Sequence, residues 1–153
     1  MTTKEMKKAF IARMVFALAE IDDLGGFFKS VIIAHAAIES NWGRSALSAK
    51  YNNFFGIKAG KSWKGKTVNM KTGDVFDGKN VTINSNFRVY GSLVESIRDR
   101  NRLLRTKRYE SVESATTPEA QATAIRTSGY CTATNYVSSI MATITANNLT
   151  MYD

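Results

Sequence analysis

Residues 31–38 read Val-Ile-Ile-Ala-His-Ala-Ala-Ile and are followed at once by Glu39. A helix over this run is apolar almost all round, and a helix without a polar face belongs in an interior. The rest of the fold must therefore be built around it. Ser30 is the expected N-cap, and the helix should run from Val31 to about Ser40. Upstream, Met6, Phe10, Met14 and Ala17 recur at helical spacing and predict a first amphipathic helix. Gly25-Gly26 separates the two. The chain has 153 residues, which suits one compact domain, and its 44% hydrophobic content is that of a globular protein.

Residues 66–90 change to a strand pattern and form an expected small β lobe. Asp77-Gly78 is a two-residue hairpin signal, flanked by Thr67 to Phe76 and Lys79 to Tyr90. A two-residue turn pairs Phe76 with Lys79, Asp74 with Val81 and Thr72 with Ile83. Alternation then places Val68, Met70, Thr72, Asp74 and Phe76 on one face with Val81, Ile83 and Phe87. Helices resume at Ser92, where Ser92 and Glu95 have capping-box spacing. Thr117-Pro118 starts another helix that should stop near Ser128-Gly129, and a last one runs from about Asn135 to Asn147. No linker, repeat or low-complexity tract divides the chain. The expected fold class is α+β, mostly α, as a single domain over residues 1–153.

Two carboxylates are out of place. Glu39 closes the apolar helix, where desolvation and the negative end of the helix dipole both disfavour its ionised form. A carboxyl kept protonated suits a general acid. Asp74 falls on the apolar face of the hairpin. Two carboxyls on different elements facing one cleft are what glycoside hydrolysis requires. Each residue also has a plainer reading. Glu39 can simply turn to solvent at its helix end, and a one-residue register slip moves Asp74 to the other face.

The residues around Glu39 carry a resemblance. Ala36-Ala37-Ile38-Glu39-Ser40-Asn41-Trp42-Gly43, Asn53-Phe54-Phe55-Gly56-Ile57-Lys58 and Trp63-Lys64-Gly65 resemble the peptidoglycan-cleaving N-acetylglucosaminidase family, glycoside hydrolase family 73. That family includes flagellar rod hydrolase domains, autolysins and phage lysins. The likeness continues through Asn86-Phe87-Arg88-Val89-Tyr90-Gly91-Ser92, Arg108-Tyr109 and Gly129-Tyr130-Cys131-Thr132, with Tyr136 beyond. The resemblance implies a lysozyme-like fold with a large helical lobe, a small β lobe and a cleft between them. It implies hydrolysis of β-1,4 bonds of the cell-wall glycan, with Glu39 as catalytic acid. The family's second carboxylate, usually a glutamate, aligns with Asp74, one methylene shorter. Tyr130 matches a tyrosine that lines the cleft near the reacting sugar, while Cys131 replaces the family's alanine. No cofactor or metal is implied.

Aromatic and amide side chains in these motifs suit a sugar cleft or a core. Trp42, Phe54, Trp63, Tyr90 and Tyr136 are candidates to line the substrate. Asn53 either binds an N-acetyl group or shapes its loop. His35, one turn before Glu39, either contacts the acid or is a satisfied core histidine.

The net charge of +8 predicts an anionic partner. Arg98, Arg100, Arg102, Arg105, Lys107 and Arg108 cluster within eleven residues. They form either a solvated helix face or a patch for an anionic wall or outer-membrane surface. Nucleic acid is the competitor of another class, but no nucleic-acid-binding module is visible and Glu39 would go unexplained. A lytic transglycosylase or a muramidase acting on the same polymer competes more closely, as does a wall-binding module without catalysis. The single cysteine and single histidine rule out an internal disulfide and a four-ligand zinc site of those residues. No signal peptide and no membrane span is read. The expected product is a monomeric phage endolysin, made in the host cytoplasm and acting at the wall.

Overall fold

The computed structural model describes the backbone of residues 1–153 and all side chains except those of residues 74–76. Helix α1 spans Thr3–Leu18, α2 Lys29–Glu39 and α3 Ala46–Tyr51. Strands β1 (Thr67–Phe76) and β2 (Lys79–Arg88) follow, then α4 (Leu93–Leu104), α5 (Glu110–Glu113), α6 (Pro118–Thr127) and α7 (Tyr136–Ala146). Short 3₁₀ turns cover Lys107–Tyr109 and Leu149–Tyr152. The architecture is the expected one: mostly helical, with a two-stranded antiparallel hairpin. Among the described residues, no helix is long and apolar enough to cross a membrane.

Helix α2 is the core. Val31, Ile32, Ile33, Ala34 and Ala36 have no exposed surface, and each of the larger ones contributes roughly 1.5–3 kcal/mol by burial. Around it pack α1, α6, α7 and the C-terminal turn. Its start departs from expectation. Phe28 occupies the N-cap without a side-chain bond, and Ser30 lies inside the helix. The carboxylate of Asp153 takes over the capping role, accepting from the Ser30 amide at 2.8 Å and its hydroxyl at 2.7 Å. Buried Gln121 adds a second brace, accepting from Phe28 N–H and donating to the carbonyls of Gly26 and Val112.

The hairpin has the register that its turn dictates, with Phe76 opposite Lys79, Asp74 opposite Val81 and Thr72 opposite Ile83. Asp77 and Gly78 both take positive φ (51° and 72°), as a primed turn demands. Strand β2 ends at Arg88, two residues earlier than expected. Val89 and Tyr90 leave the ladder and donate to the carbonyls of Lys66 and Tyr51. Asn86 and Arg88 are tied to Ala59 and Ile57, so the 57–59 segment forms a third rung at the root of the hairpin. On the face expected to be apolar, Phe87 is buried while Val68, Met70, Val81 and Ile83 are half-buried. That face is a cleft wall at its middle and core only at its root.

The helix starts behave largely as expected. Thr117 caps α6 ahead of Pro118. Ser92 accepts from Glu95 N–H at 3.2 Å, whereas the Glu95 carboxylate reaches Gly91 N–H at 2.6 Å, one residue beyond the expected box.

Candidate active site

Glu39 is the last residue of α2, and the next four residues explain why the helix stops there. Asn41, Trp42 and Gly43 all have positive φ (50°, 58° and 78°), a costly run for L-residues. Buried Ser40 holds it together. Its hydroxyl donates to Ala36 O and accepts from Gly43 N–H, while its carbonyl accepts from Ser45 N–H. The Trp42 ring packs edge-on to Phe10 at 5.7 Å, with the Lys7 ammonium 4.9 Å from its centre. The Ser-Asn-Trp-Gly stretch thus folds the turn that leaves the carboxyl of Glu39 at a helix end facing outward.

A second loop closes around that carboxyl. Asn53 is fully engaged: its amide donates to the carbonyls of Ile57 and Arg88, and its oxygen accepts from Ile57 N–H. Gly56 has φ +64°, and a β-carbon there would stand 3.4 Å from Glu39 Oε2. The loop can therefore press its backbone against the acid. Phe55 O accepts the hydroxyl of Tyr130 at 3.0 Å, which ties the segment after α6 to the same loop.

Between these pieces and the hairpin lies a cleft of about 560 Å³. Its lining includes Glu39, Gly56 and Lys58 on one side, Met70 to Gly73 and Phe87 on the hairpin, and Cys131 to Ala133 beyond α6. Glu39 is exposed to this space at the end of its helix, with protein packed around the rest of its side chain. Desolvation raises its carboxyl above the ordinary value of 4.5. Among the described residues it has no hydrogen-bond or ion-pair partner. The Tyr130 hydroxyl is raised well above its ordinary value, first by desolvation and second by the charge of Glu39, so the two groups are electrostatic neighbours.

The other expected site residues divide clearly. The side chain of Asp74 lies outside the described residues; its backbone position on β1, opposite Val81, follows directly upon the cleft-lining stretch 70–73. Phe54 is fully buried in the core, tilted against Phe10. Tyr136 is 4% exposed and stacks edge-on to His35, so neither ring is available to a sugar in this structure. Asn53 spends its amide on the loop, and Trp42 packs on α1. Trp63 and Tyr90 belong to the hairpin root. The Trp63 indole N–H donates to Lys66 O, its ring meets Tyr90 edge-on at 5.7 Å, and the Arg88 guanidinium lies 4.9 Å from its centre. Gly65 permits this, because a β-carbon there would come within 2.5 Å of the indole. The buried carboxylate of Asp99 completes the clasp, accepting from the Tyr90 hydroxyl, from Arg88 at 2.9 Å and from Arg102 at 2.8 Å. Burial and the Asp99 contact raise the Tyr90 hydroxyl, in that order.

His35 does not reach the acid. It is fully buried, and its Nδ1 accepts from Arg100 Nε at 3.2 Å, which places the ring proton on Nε2. Burial and then the Arg100 charge hold it well below 6.5, so it is neutral. Arg100 itself is completely buried between Phe27 and Phe55, and desolvation lowers it to about 10. Sequence reading placed this arginine on a solvated face or surface patch. The α4 period instead turns position 100 toward the core, with Ser96, Ile97 and Leu104. Lys58, Cys131, Thr132 and Ala133 also line the cleft; none was a candidate site residue, although the family-like Gly-Ile-Lys and Tyr-Cys-Thr stretches carry three of them.

A desolvated carboxyl without a partner, facing a hairpin across an open cleft, is the layout of a lysozyme-like glycosidase. Residues 17–149 match the Glucosaminidase family, described as mannosyl-glycoprotein endo-beta-N-acetylglucosaminidase. The chain is 40% identical over 130 residues to the exo-glucosaminidase LytG of Bacillus subtilis, covering 81% of this chain and 45% of that protein. It is 38% identical over 155 residues to a probable N-acetylmuramidase of Lactococcus lactis, covering 95% and 35% respectively. The catalytic domain of the Listeria monocytogenes autolysin Auto superposes with a TM-score of 0.84 at 35% identity, covering 100% of this chain and 90% of that one. The chain therefore spans less than half the length of those two curated relatives. It belongs to the Glucosaminidase family of glycoside hydrolases.

Proposed function

We propose that this domain hydrolyses the glycan strands of peptidoglycan at the β-1,4 bond on the reducing side of N-acetylglucosamine. The observation that carries the reading is Glu39, with a raised carboxyl and no partner among the described residues, at the wall of a cleft of about 560 Å³. Its raised carboxyl protonates the glycosidic oxygen. Asp74 on β1 serves as the second carboxylate, activating water or stabilising the oxocarbenium-like centre. Tyr130 borders Glu39 and positions or polarises the substrate's acetamido group. Family membership supports the substrate class, and the lining of the cleft by residues 70–73 of the hairpin is consistent with it.

Mass spectrometry of digested peptidoglycan tests the bond. N-acetylglucosamine at the new reducing ends is expected; N-acetylmuramic acid or anhydro-muramic ends would overturn the assignment in favour of a muramidase or a lytic transglycosylase. The muramidase reading is favoured by one observation, the name of the lactococcal relative. Asp74→Asn should lower turnover at least about a hundredfold, on the scale of a lost acid–base group. Wild-type turnover removes Asp74 from the mechanism.

We further propose a lytic role, that of a phage endolysin drawn to an anionic wall by the +8 charge. Cytoplasmic expression together with a membrane-permeabilising protein should lyse the host, and Glu39→Gln should not.

A further inference from the structure

The stretch of the sequence richest in positive charge is exposed except at Arg100, and most of its arginines are engaged with the protein itself. Arg98 donates to Glu20 O, Arg102 pairs with Asp99, and Arg105 pairs with Glu113 and Asp23. Arg108 donates to the carbonyls of Ser128 and Gly129, and Arg100 is buried. These arginines fasten α4 and the turn after it to the rest of the protein.

The lysines of α1 behave differently. Lys4, Lys7 and Lys8 line a groove of about 780 Å³ between α1 and the C-terminal turn. Ile11 forms part of its floor and the half-exposed Tyr152 part of its flank. No carboxylate lines it, and no ion pair engages any of the three lysines among the described residues. The contact of Lys7 with the Trp42 ring leaves its charge unneutralised. Lys4 and Lys8 stand about 6 Å apart along the helix axis, from a rise of about 1.5 Å per residue.

We propose that this groove binds the phosphodiester backbone of an anionic wall polymer. Phosphates meet the ammonium groups, which suit them as compact point charges. The sugar or polyol between them lies on Ile11 and Tyr152. A concave channel with a cationic rim fits a single strand, whereas the exposed apolar side chains near it, Met1 and Phe16, lie outside the groove. The inference deepens the wall-surface reading above and rests on it, and it concerns a surface separate from the Glu39 cleft.

The test is co-sedimentation with insoluble walls that carry a phosphodiester polymer, with the same walls stripped by hydrofluoric acid, and with anionic phospholipid vesicles. Lys4→Gln/Lys8→Gln, which leaves Lys7 on the Trp42 ring, should bind intact walls about fivefold more weakly, the sum of two exposed charge contacts. The deficit should vanish on stripped walls and in high salt. The Lys4→Arg/Lys8→Arg variant should bind as the wild type does. Hydrolysis of short soluble glycan fragments reports separately on the Glu39 reading and on folding, and should be the same in all three proteins. Wild-type wall binding by the glutamine variant would overturn the proposal. So would a deficit that persists on stripped walls, or tighter binding to vesicles than to walls.

Discussion

The hydroxyl of Tyr130 donates to the carbonyl of Phe55 at 3.0 Å. This bond joins two chain segments far apart in sequence, the one after α6 and the loop that packs against Glu39. Tyr130→Phe keeps the ring and deletes the bond. A stability loss of about 1 kcal/mol is expected from one neutral hydrogen bond. The effect on turnover should be larger, about a hundredfold, because a shift near 1 Å in the loop misplaces the acid. Thermal unfolding and kcat measured on the same preparation separate the two.

Glu39 makes a signed pH prediction. Its folded value lies above the unfolded one because of desolvation. The folded chain therefore holds this proton longer as pH rises. The stabilising contribution is complete at acid pH and is lost as pH climbs through the raised folded value. Glu39→Gln, neutral throughout, should equal or exceed the wild type in stability at neutral pH while losing turnover. The alkaline limb of wild-type kcat should lie above 4.5, the ordinary glutamate value. A limb at or below it would contradict a desolvated acid.

Gly56 bears on the same carboxyl from the other side. Its φ of +64° is unfavourable for an L-residue, while a β-carbon there would make an ordinary 3.4 Å contact with Glu39 Oε2. Gly56→Ala should cost about 1–2 kcal/mol from the left-handed backbone alone. Turnover should fall as well, since relief of strain moves the loop away from the acid. Unchanged turnover with lowered stability would confine Gly56 to a folding role.

What was legible in the sequence followed from short-range rules. Asp77-Gly78 pointed to the hairpin register that is observed, and the slip left open at Asp74 does not occur because the two-residue turn pairs Phe76 with Lys79. Glu39 stood out because it closes a helix without a polar face. Long-range pairings were not legible. Nothing local marks Asp153 as the cap of α2, 123 residues away from Ser30. Nor does local sequence separate an aromatic that stacks on sugar from one that braces a hairpin root, which is where Trp63 and Tyr90 sit. Arg100 failed for a related reason. A cluster of arginines reads as one exposed face, yet helical period sends one of its members inward.

That inward member sets the last prediction. Arg100 is buried without a carboxylate partner among the described residues, and His35 Nδ1 accepts one of its donors. Removing the acceptor leaves a buried cation short of a bond, so His35→Leu should cost about 3–5 kcal/mol. His35→Gln retains an acceptor and should cost about 1 kcal/mol. The titration has the opposite sign to that of Glu39. The folded His35 value is depressed, first by burial and then by Arg100, so the unfolded chain binds the extra proton. Stability from this group is present above 6.5 and is lost as pH falls toward the folded value. Thermal midpoints measured from neutral pH downward should therefore fall less steeply in His35→Gln than in the wild type. Parallel curves would mean that the imidazole is already protonated in the fold.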